Sequence, residues 1–347
     1  MNKKIAEQSH FCLNEILSQL ALGKSLSTPE AQQAFTLLFK GSMPFTQAKS
    51  LLLLLAKKGE TSDELLGCLH ALRSLENTIG PKSPGLMDTC GTGGDGRHTI
   101  NISTLVALVI AGAGGRIAKH GNRAISSKSG SSDLMESFGV RLEALPGKIV
   151  RSIQRWGIGY FHAPSHHPVF ARIQPLRRAI KRRTILNLLG PLVNPMRLDH
   201  QLVGVSEKRL IPLYAKVLAK LGRKSALVFH SDDGMDEIST SASTSAAWVT
   251  PGKIRMIRIH PKSLRLRKAS PQDLSVNSIK QSKLRAENIL SGKERGGARD
   301  TIVLNAAYGL YLCRKAASVE EGIVFAEESI DSGKARKALN QLKVESR

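Results

Sequence analysis

The chain has 347 residues, 41% of them hydrophobic, which suffices for a large core and makes two domains the expected organisation. Basic residues exceed acidic ones by 51 − 28 = 23, so the favoured partners are anions: phosphorylated metabolites, nucleic acid or a membrane surface. Only 4% of residues are aromatic, which argues against a stacking surface for single strands, and Cys12, Cys68, Cys90 and Cys313 form no CxxC pair, which argues against a zinc framework.

The chain opens with polar and charged residues around Met1-Asn-Lys-Lys rather than an apolar segment, so no signal peptide is expected. Helices follow, with clear punctuation. Thr28-Pro29-Glu30 reads as an N-cap with proline at the first helical position, and Gly41 closes that segment. Thr61-Ser-Asp-Glu64 is a capping box leading into Leu65, Leu66, Leu69 and Leu72 at helical spacing. Asn77–Pro84 (NTIGPKSP) reads as a connection between domains.

Short apolar runs then alternate with helical segments, the signature of an α/β domain with a largely parallel sheet. Leu86–Cys90 predicts a strand, Thr104–Ala113 a buried helix and Arg116–Ala118 the next strand. The longest apolar run, Leu105–Ala113, is about half of the ~20 residues that a membrane span needs. Phe170–Leu189 turns helical and interrupts the rhythm; Leu210–Leu221 predicts a helix feeding a strand at Ser225–His230. The expected fold class is therefore α/β: a small all-helical N-terminal domain (1–76, joined by helices around 168–190) plus a larger α/β domain (77–347) with a mostly parallel central sheet. No membrane association is expected, and the distant cysteines fit a cytoplasmic, reducing setting.

Three polar segments carry the chemistry. The first, Asp88-Thr-Cys-Gly-Thr-Gly-Gly-Asp-Gly96, lies between a predicted strand and a helix that begins near Asn101-Ile-Ser-Thr104. Glycines admit close backbone approach, and a helix N-terminus favours negative charge, so this is a candidate anion site. It fits neither the dinucleotide fingerprint nor the GxxxxGK[ST] loop. The second, Lys119 to Asp133 (KHGNRAISSKSGSSD), concentrates two lysines, an arginine, two glycines and five serines after another short strand. Both loops would meet outside the carboxyl ends of strands, where open α/β sheets bind ligands. The ligand they suit is a multiply phosphorylated, hydroxyl-rich small molecule. The third, His230-Ser-Asp-Asp-Gly-Met-Asp-Glu237, holds four carboxylates in a strongly basic chain, an oxygen-rich set suited to Mg²⁺ bridging substrate phosphates.

DTCGTGGDG, TINIST, KHGNRAISSKSGSSD, RTILNLLGPLVNP and HSDDGMDEIS, in that order and spacing, resemble the anthranilate phosphoribosyltransferases, and the resemblance spans nearly the whole chain. It implies transfer of the phosphoribosyl group of 5-phosphoribosyl 1-pyrophosphate to anthranilate, the second step of tryptophan biosynthesis from chorismate. It also implies a Mg²⁺-dependent homodimer joined through the helical domain, with two ions per subunit. On the first loop it implies phosphoribosyl-pyrophosphate ligands at Gly91, Gly94, Asp95, Thr99, Asn101, Ile102, Ser103 and Thr104. On the second it implies Lys119, His120, Gly121, Asn122, Arg123, Ser126, Ser127 and Ser131. Gly91, Asn122 and Arg177 would recognise anthranilate, Arg177 through its carboxylate, and Ser103, Asp236 and Glu237 would hold the metal. No residue stands out as a general base, and an aromatic amine, neutral at pH 7, needs no strong one.

Some residues depart from the family pattern: Ser231 stands where glycine is common, Ile100 replaces an aromatic, and His166 stands where tyrosine is frequent. Two lysines also appear in Asn277–Lys283. Two other readings stay open from the sequence: phosphoribosyl or nucleoside transfer to a different acceptor, and nucleic-acid binding. The latter is motivated by the net charge and by two acid-free basic runs, Arg172–Arg183 and Lys253–Lys268, but is not the primary function expected.

Overall fold

The computed structural model describes residues 13–76, 78–80, 83–124 and 128–347. The chain divides into two compact units, one taking the chain through Thr78 together with His167–Val193, the other Ile79–His166 and Asn194–Arg347.

The first unit is helical. Its helix Thr28–Lys40 is capped by Ser27, not Thr28: the Ser27 hydroxyl accepts from the Glu30 amide, and the Glu30 carboxylate accepts from the Ser27 amide at 2.7 Å. The spacing decides this, because only Ser27 has a glutamate three residues on. Thr61 and Glu64 form the same box at the start of helix Ser62–Arg73. Glu64 is fully buried; it also accepts from the Leu26 amide at 2.9 Å and pairs with Lys58 at 3.1 Å. Around 170–189 the chain forms short helices, Val169–Arg172 and Gln174–Ile180, then 3₁₀ turns at Ile185–Asn187 and Gly190–Leu192.

The second unit is built on a seven-stranded sheet: β1 Leu86–Gly91, β2 Arg116–Gly121, β3 Ile158–His162, β4 His200–Gly204, β5 Ser225–Ser231, β6 Thr244–Thr250 and β7 Lys253–Ile259. Their spatial order is β3-β2-β1-β4-β5-β6-β7. The first five run parallel, whereas β6 and β7 form an antiparallel extension at one edge. That extension includes the first part of the basic run Lys253–Lys268, for which the sequence suggested no strand. The strand order reverses between β1 and β4, which opens a crevice beyond their carboxyl ends.

Both faces of the sheet are covered. The helix Ile102–Gly112 is apolar almost all round because it lies inside one layer, with nine residues from Ile102 to Ala111 buried. Fully burying a large aliphatic side chain contributes roughly 1.5–3 kcal/mol, so this helix is a main anchor of the core. The helix Gly297–Leu312 packs against it, and Ile302, Val303 and Leu304 are fully buried there. Leu86, Ala118, Ile149, Ile153 and Phe161 fill the opposite face.

Candidate active site

The loop after β1 supplies the first wall. Gly93, Gly94 and Gly96 take positive φ values of 61°, 80° and 73°, a run of left-handed backbone that side-chain-bearing residues adopt at a penalty. The Thr92 amide bonds the Gly204 carbonyl at 2.9 Å, the Gly93 amide bonds Asp236 Oδ2 at 3.1 Å, and the Arg97 amide bonds Asp95 Oδ1 at 3.1 Å. Among the described residues no partner takes the amides of Gly94, Asp95 and Gly96, and these residues lie at the surface. Consecutive amides of this kind form an anion-binding concavity.

The start of the following helix departs from the sequence expectation of an open anion site. Ile102 N–H bonds the Ile100 carbonyl at 2.7 Å and Thr104 N–H the Asn101 carbonyl at 3.1 Å, while Ser103 N–H donates to the Glu237 carboxylate. A glutamate thus occupies the positive end of the helix. The Ile102 side chain lies in the core and Thr104 is fully buried. Asn101 is also engaged, donating to the Ser129 carbonyl at 2.9 Å and accepting from Ser129 Oγ at 2.9 Å and Ser282 Oγ at 3.0 Å. Thr99 pairs with Ser275 in an isolated bridge.

Asp236 and Glu237 reach the crevice because two glycines leave room. Gly91 and Gly204 are register partners at the ends of β1 and β4. A β-carbon on Gly91 would lie 2.5 Å from Asp236 Oδ2, and one on Gly204 would lie 1.7 Å from the Asp236 carbonyl oxygen. The carboxylates keep part of their surface open while protein surrounds them. Burial, and then the charge of Asp95, push Asp236 up to about 7. Burial, then Asp236 and Asp95, push Glu237 well above the usual carboxylate range, against the pull of Lys119 and the Ser103 amide. Three mutually repelling acids in one crevice are a fitting place for a divalent cation with oxygen ligands. The described residues form no cage of three or more acidic, histidine or cysteine ligands, so substrate phosphates and water would complete the coordination.

The end of β2 and the loop after it divide. Lys119 is in the floor: 2% exposed, it donates to the Thr89 carbonyl at 2.5 Å and the His120 carbonyl at 3.3 Å. Beneath it Asp88 accepts from the His120 amide at 3.2 Å and from Asn194 Nδ2 at 2.9 Å. Burial raises the Asp88 carboxyl's pKa, and the charge of Lys119 opposes the rise. A β-carbon on Gly121 would lie 2.2 Å from Ser131 Oγ, and that hydroxyl in turn accepts from the Asn122 amide at 3.1 Å. Arg123 is not brought into the crevice. Its guanidinium pairs with Asp133 at 3.1 Å and with Glu136 at 2.7 Å on helix Ser131–Ser137. Ser126 and Ser127 lie outside the described residues. Arg177 lies in the helical unit, on helix Gln174–Ile180, where burial lowers its guanidinium's pKa.

Several participants were not read from the sequence. Asp88 and Asn194 hold the floor, Gly204 admits Asp236, and Arg97 donates to the Asp233 carbonyl. Asp88, Asn194 and Asp233 stand inside motifs quoted above but carried no role there, and a strand-terminal glycine in Leu202-Val-Gly204 was the local signal for Gly204.

Known proteins share the sequence pattern and the fold. Residues 83–336 match the glycosyl transferase family a/b domain, and residues 14–75 match its helical bundle domain. The anthranilate phosphoribosyltransferase of Petrotoga mobilis is 40% identical over 95% of both chains. That of Symbiobacterium thermophilum is 41% identical over 95% of this chain and 97% of its own. The crystal structure of the Thermus thermophilus enzyme superposes with a TM-score of 0.89 at 34% identity, covering 96% of this chain and 99% of that one. The Saccharomyces cerevisiae enzyme, in complex with PRPP and Mg, has the same fold at 24% identity, with a TM-score of 0.88 over 96% of this chain and 97% of its own. With both domains matched and relatives this similar along nearly its full length, the chain belongs to the anthranilate phosphoribosyltransferase family.

Proposed function

We propose that the crevice beyond β1, β4 and β5 holds 5-phosphoribosyl 1-pyrophosphate with Mg²⁺. The reaction is that of the family: the phosphoribosyl group passes to anthranilate, giving N-(5-phosphoribosyl)anthranilate and pyrophosphate, the second step of tryptophan biosynthesis. One observation carries the site assignment: Asp236 and Glu237 are seated beside the glycine loop, with Asp236 bonded to the Gly93 amide.

In this reading the amides of Gly94, Asp95 and Gly96 receive the pyrophosphate. Gly91, Thr99, Ser103, Asn122, Ser127 and Ser131 complete the site by family motif, while Asn101, engaged by Ser129 and Ser282, and the buried Thr104 support it from within. Lys119 acts from the floor, its charge compensated by Asp88 rather than presented at the surface. Asp236, Glu237 and Ser103 would hold the cation, which when bound neutralises charge on the departing pyrophosphate. Arg177 and Asn122 orient anthranilate, Arg177 by pairing with its carboxylate. The C1–O bond to pyrophosphate breaks, its electron pair leaving with that group, while the amine nitrogen forms the new bond to C1. The amine's lone pair is available at neutral pH, and its surplus proton passes to water.

The reading extends to two Mg²⁺ ions per subunit, a homodimer through the helical domain and a cytoplasmic setting. Leu22, 75% exposed, and Phe45, 52% exposed, leave apolar surface on the helical unit that a second subunit would cover. The described cysteines Cys68, Cys90 and Cys313 form no disulfide with one another, and no described helix is long and apolar enough to cross a membrane.

The test is loss of anthranilate fluorescence with 5-phosphoribosyl 1-pyrophosphate, with and without Mg²⁺, in the native chain and in Asp236→Ala/Glu237→Ala and Arg177→Ala. Mg²⁺-dependent loss, impaired in both variants, supports the assignment. Turnover unaffected by either substitution would sink it.

A further inference from the structure

The turn carrying Asp236 and Glu237 is gripped from behind by side chains that the reaction does not use. Ser231, the last residue of β5, is fully buried. Its hydroxyl donates to the Glu237 carbonyl at 2.6 Å, accepts from the Ser239 amide at 3.1 Å and lies 2.5 Å from Thr244 Oγ1 on β6. Since its one proton goes to Glu237, the Thr244 hydroxyl is the donor between the two.

Asn305 grips the next residue. It is fully buried within helix Gly297–Leu312, flanked by Leu304 and Ala306. Its Oδ1 accepts from the Ile238 amide at 3.0 Å, and its Nδ2 donates to the Ile238 carbonyl at 2.9 Å and the Thr301 carbonyl at 2.8 Å. Four successive backbone groups after the Glu237 α-carbon are therefore held by buried side chains. On the other side the Asp236 carbonyl sits against Gly204, where a β-carbon would come within 1.7 Å. The backbone that bears both carboxylates is fixed from β4, β5 and helix Gly297–Leu312.

We propose that Ser231 and Asn305 are positioning residues for the cation: by fixing the Glu237–Ile238 peptide they aim the Glu237 carboxylate. The proposal rests on the assignment of Asp236 and Glu237 as metal ligands. Hydrogen-bonded partners behind a metal ligand set its direction, and their loss typically lowers metal affinity 10–100-fold.

The experiment titrates Mn²⁺ into full-length protein saturated with 5-phosphoribosyl 1-pyrophosphate, reading protein-bound ion by water-proton relaxation. The variants are Ser231→Ala, Asn305→Asp and Ser231→Thr, the last retaining the hydroxyl. Ser329→Ala is the control, losing a comparable buried bond of 2.8 Å to the Val109 carbonyl away from the turn. The expected result is about tenfold weaker Mn²⁺ binding in Ser231→Ala and Asn305→Asp. Ser231→Thr and Ser329→Ala should bind as the native chain does, even where Ser329→Ala melts as early as Ser231→Ala. If Asn305→Asp fails to fold, the Ser231 pair decides the matter. Native Mn²⁺ affinity in Ser231→Ala would overturn the proposal and leave the hydroxyl a purely structural role. Asp236→Asn and Glu237→Gln bound as tightly as the native chain would overturn the metal assignment itself.

Discussion

Lys119 on β2 and the pair Lys253 and Arg255 on β7 are cations in strands of one sheet, but they live in opposite environments. Lys119 is 2% exposed, bonded to backbone carbonyls and set beside the buried Asp88. Lys253 and Arg255 are exposed, as are Ile254 and Met256 between and beyond them. The cause is strand position. β2 lies between β1 and β3, where every polar group must be satisfied inside the protein, while β7 is the sheet's edge. Basic residues on an edge discourage pairing with another chain. A large positive charge therefore does not mark the site; the charge that shapes the crevice floor is a single buried lysine with its acid.

The sharpest break in that comparison is made at the carboxylates. Asp236→Ala should lower turnover about a thousandfold, since metal stabilisation of a leaving group is worth several kcal/mol and each 1.36 kcal/mol is tenfold. Anthranilate fluorescence under saturating substrates reads this directly, and a loss below tenfold would count against the assignment.

Next comes the floor. Lys119→Met leaves Asp88 buried without its cation and should destabilise the protein by about 3–5 kcal/mol in urea unfolding. Adding Asp88→Asn should restore most of that loss, because the uncompensated charge is then gone. A double variant no more stable than the single one would show that Lys119 acts through its carbonyl bonds instead.

A smaller effect is expected from Gly204→Ala, whose new β-carbon would meet the Asp236 carbonyl. Overpacking of this kind costs about 1–3 kcal/mol, seen as a lowered melting temperature, and turnover should fall because Asp236 is displaced. Unchanged melting and turnover would mean that the turn has room to give.

The edge should respond least. Lys253→Gln and Arg255→Gln should change stability by no more than about 0.5 kcal/mol and leave turnover unchanged. A marked fall in turnover would bring β7 into the working part of the molecule.

Much of this was legible in local sequence. The Thr61–Glu64 box, the strand at Leu86, the buried helix after it and the acidic turn after β5 each announce themselves within a dozen residues. The Ser27 cap was misplaced by one position because Thr28-Pro29 is also a good start, and only the glutamate spacing separates the two. The β6–β7 hairpin was missed because β7, KIRMIRI, was read as part of a basic run, although Lys253–Met256 alternates polar and apolar residues as a strand does.

By itself, then, the sequence determined the elements and the polar loops that end them, because caps, glycines and apolar spacing act over a few residues. Its motifs also carried the family resemblance. The tertiary structure decided which donors remain available. Glu237 takes the Ser103 amide, Arg123 turns to Asp133 and Glu136, and Asn101 is spent on Ser129 and Ser282. It also decided that Gly204 would make room for Asp236, and that Ser231 and Asn305 would hold its turn. These outcomes depend on strand order and on hydrogen-bond competition between segments far apart in the chain, and no local spacing encodes either.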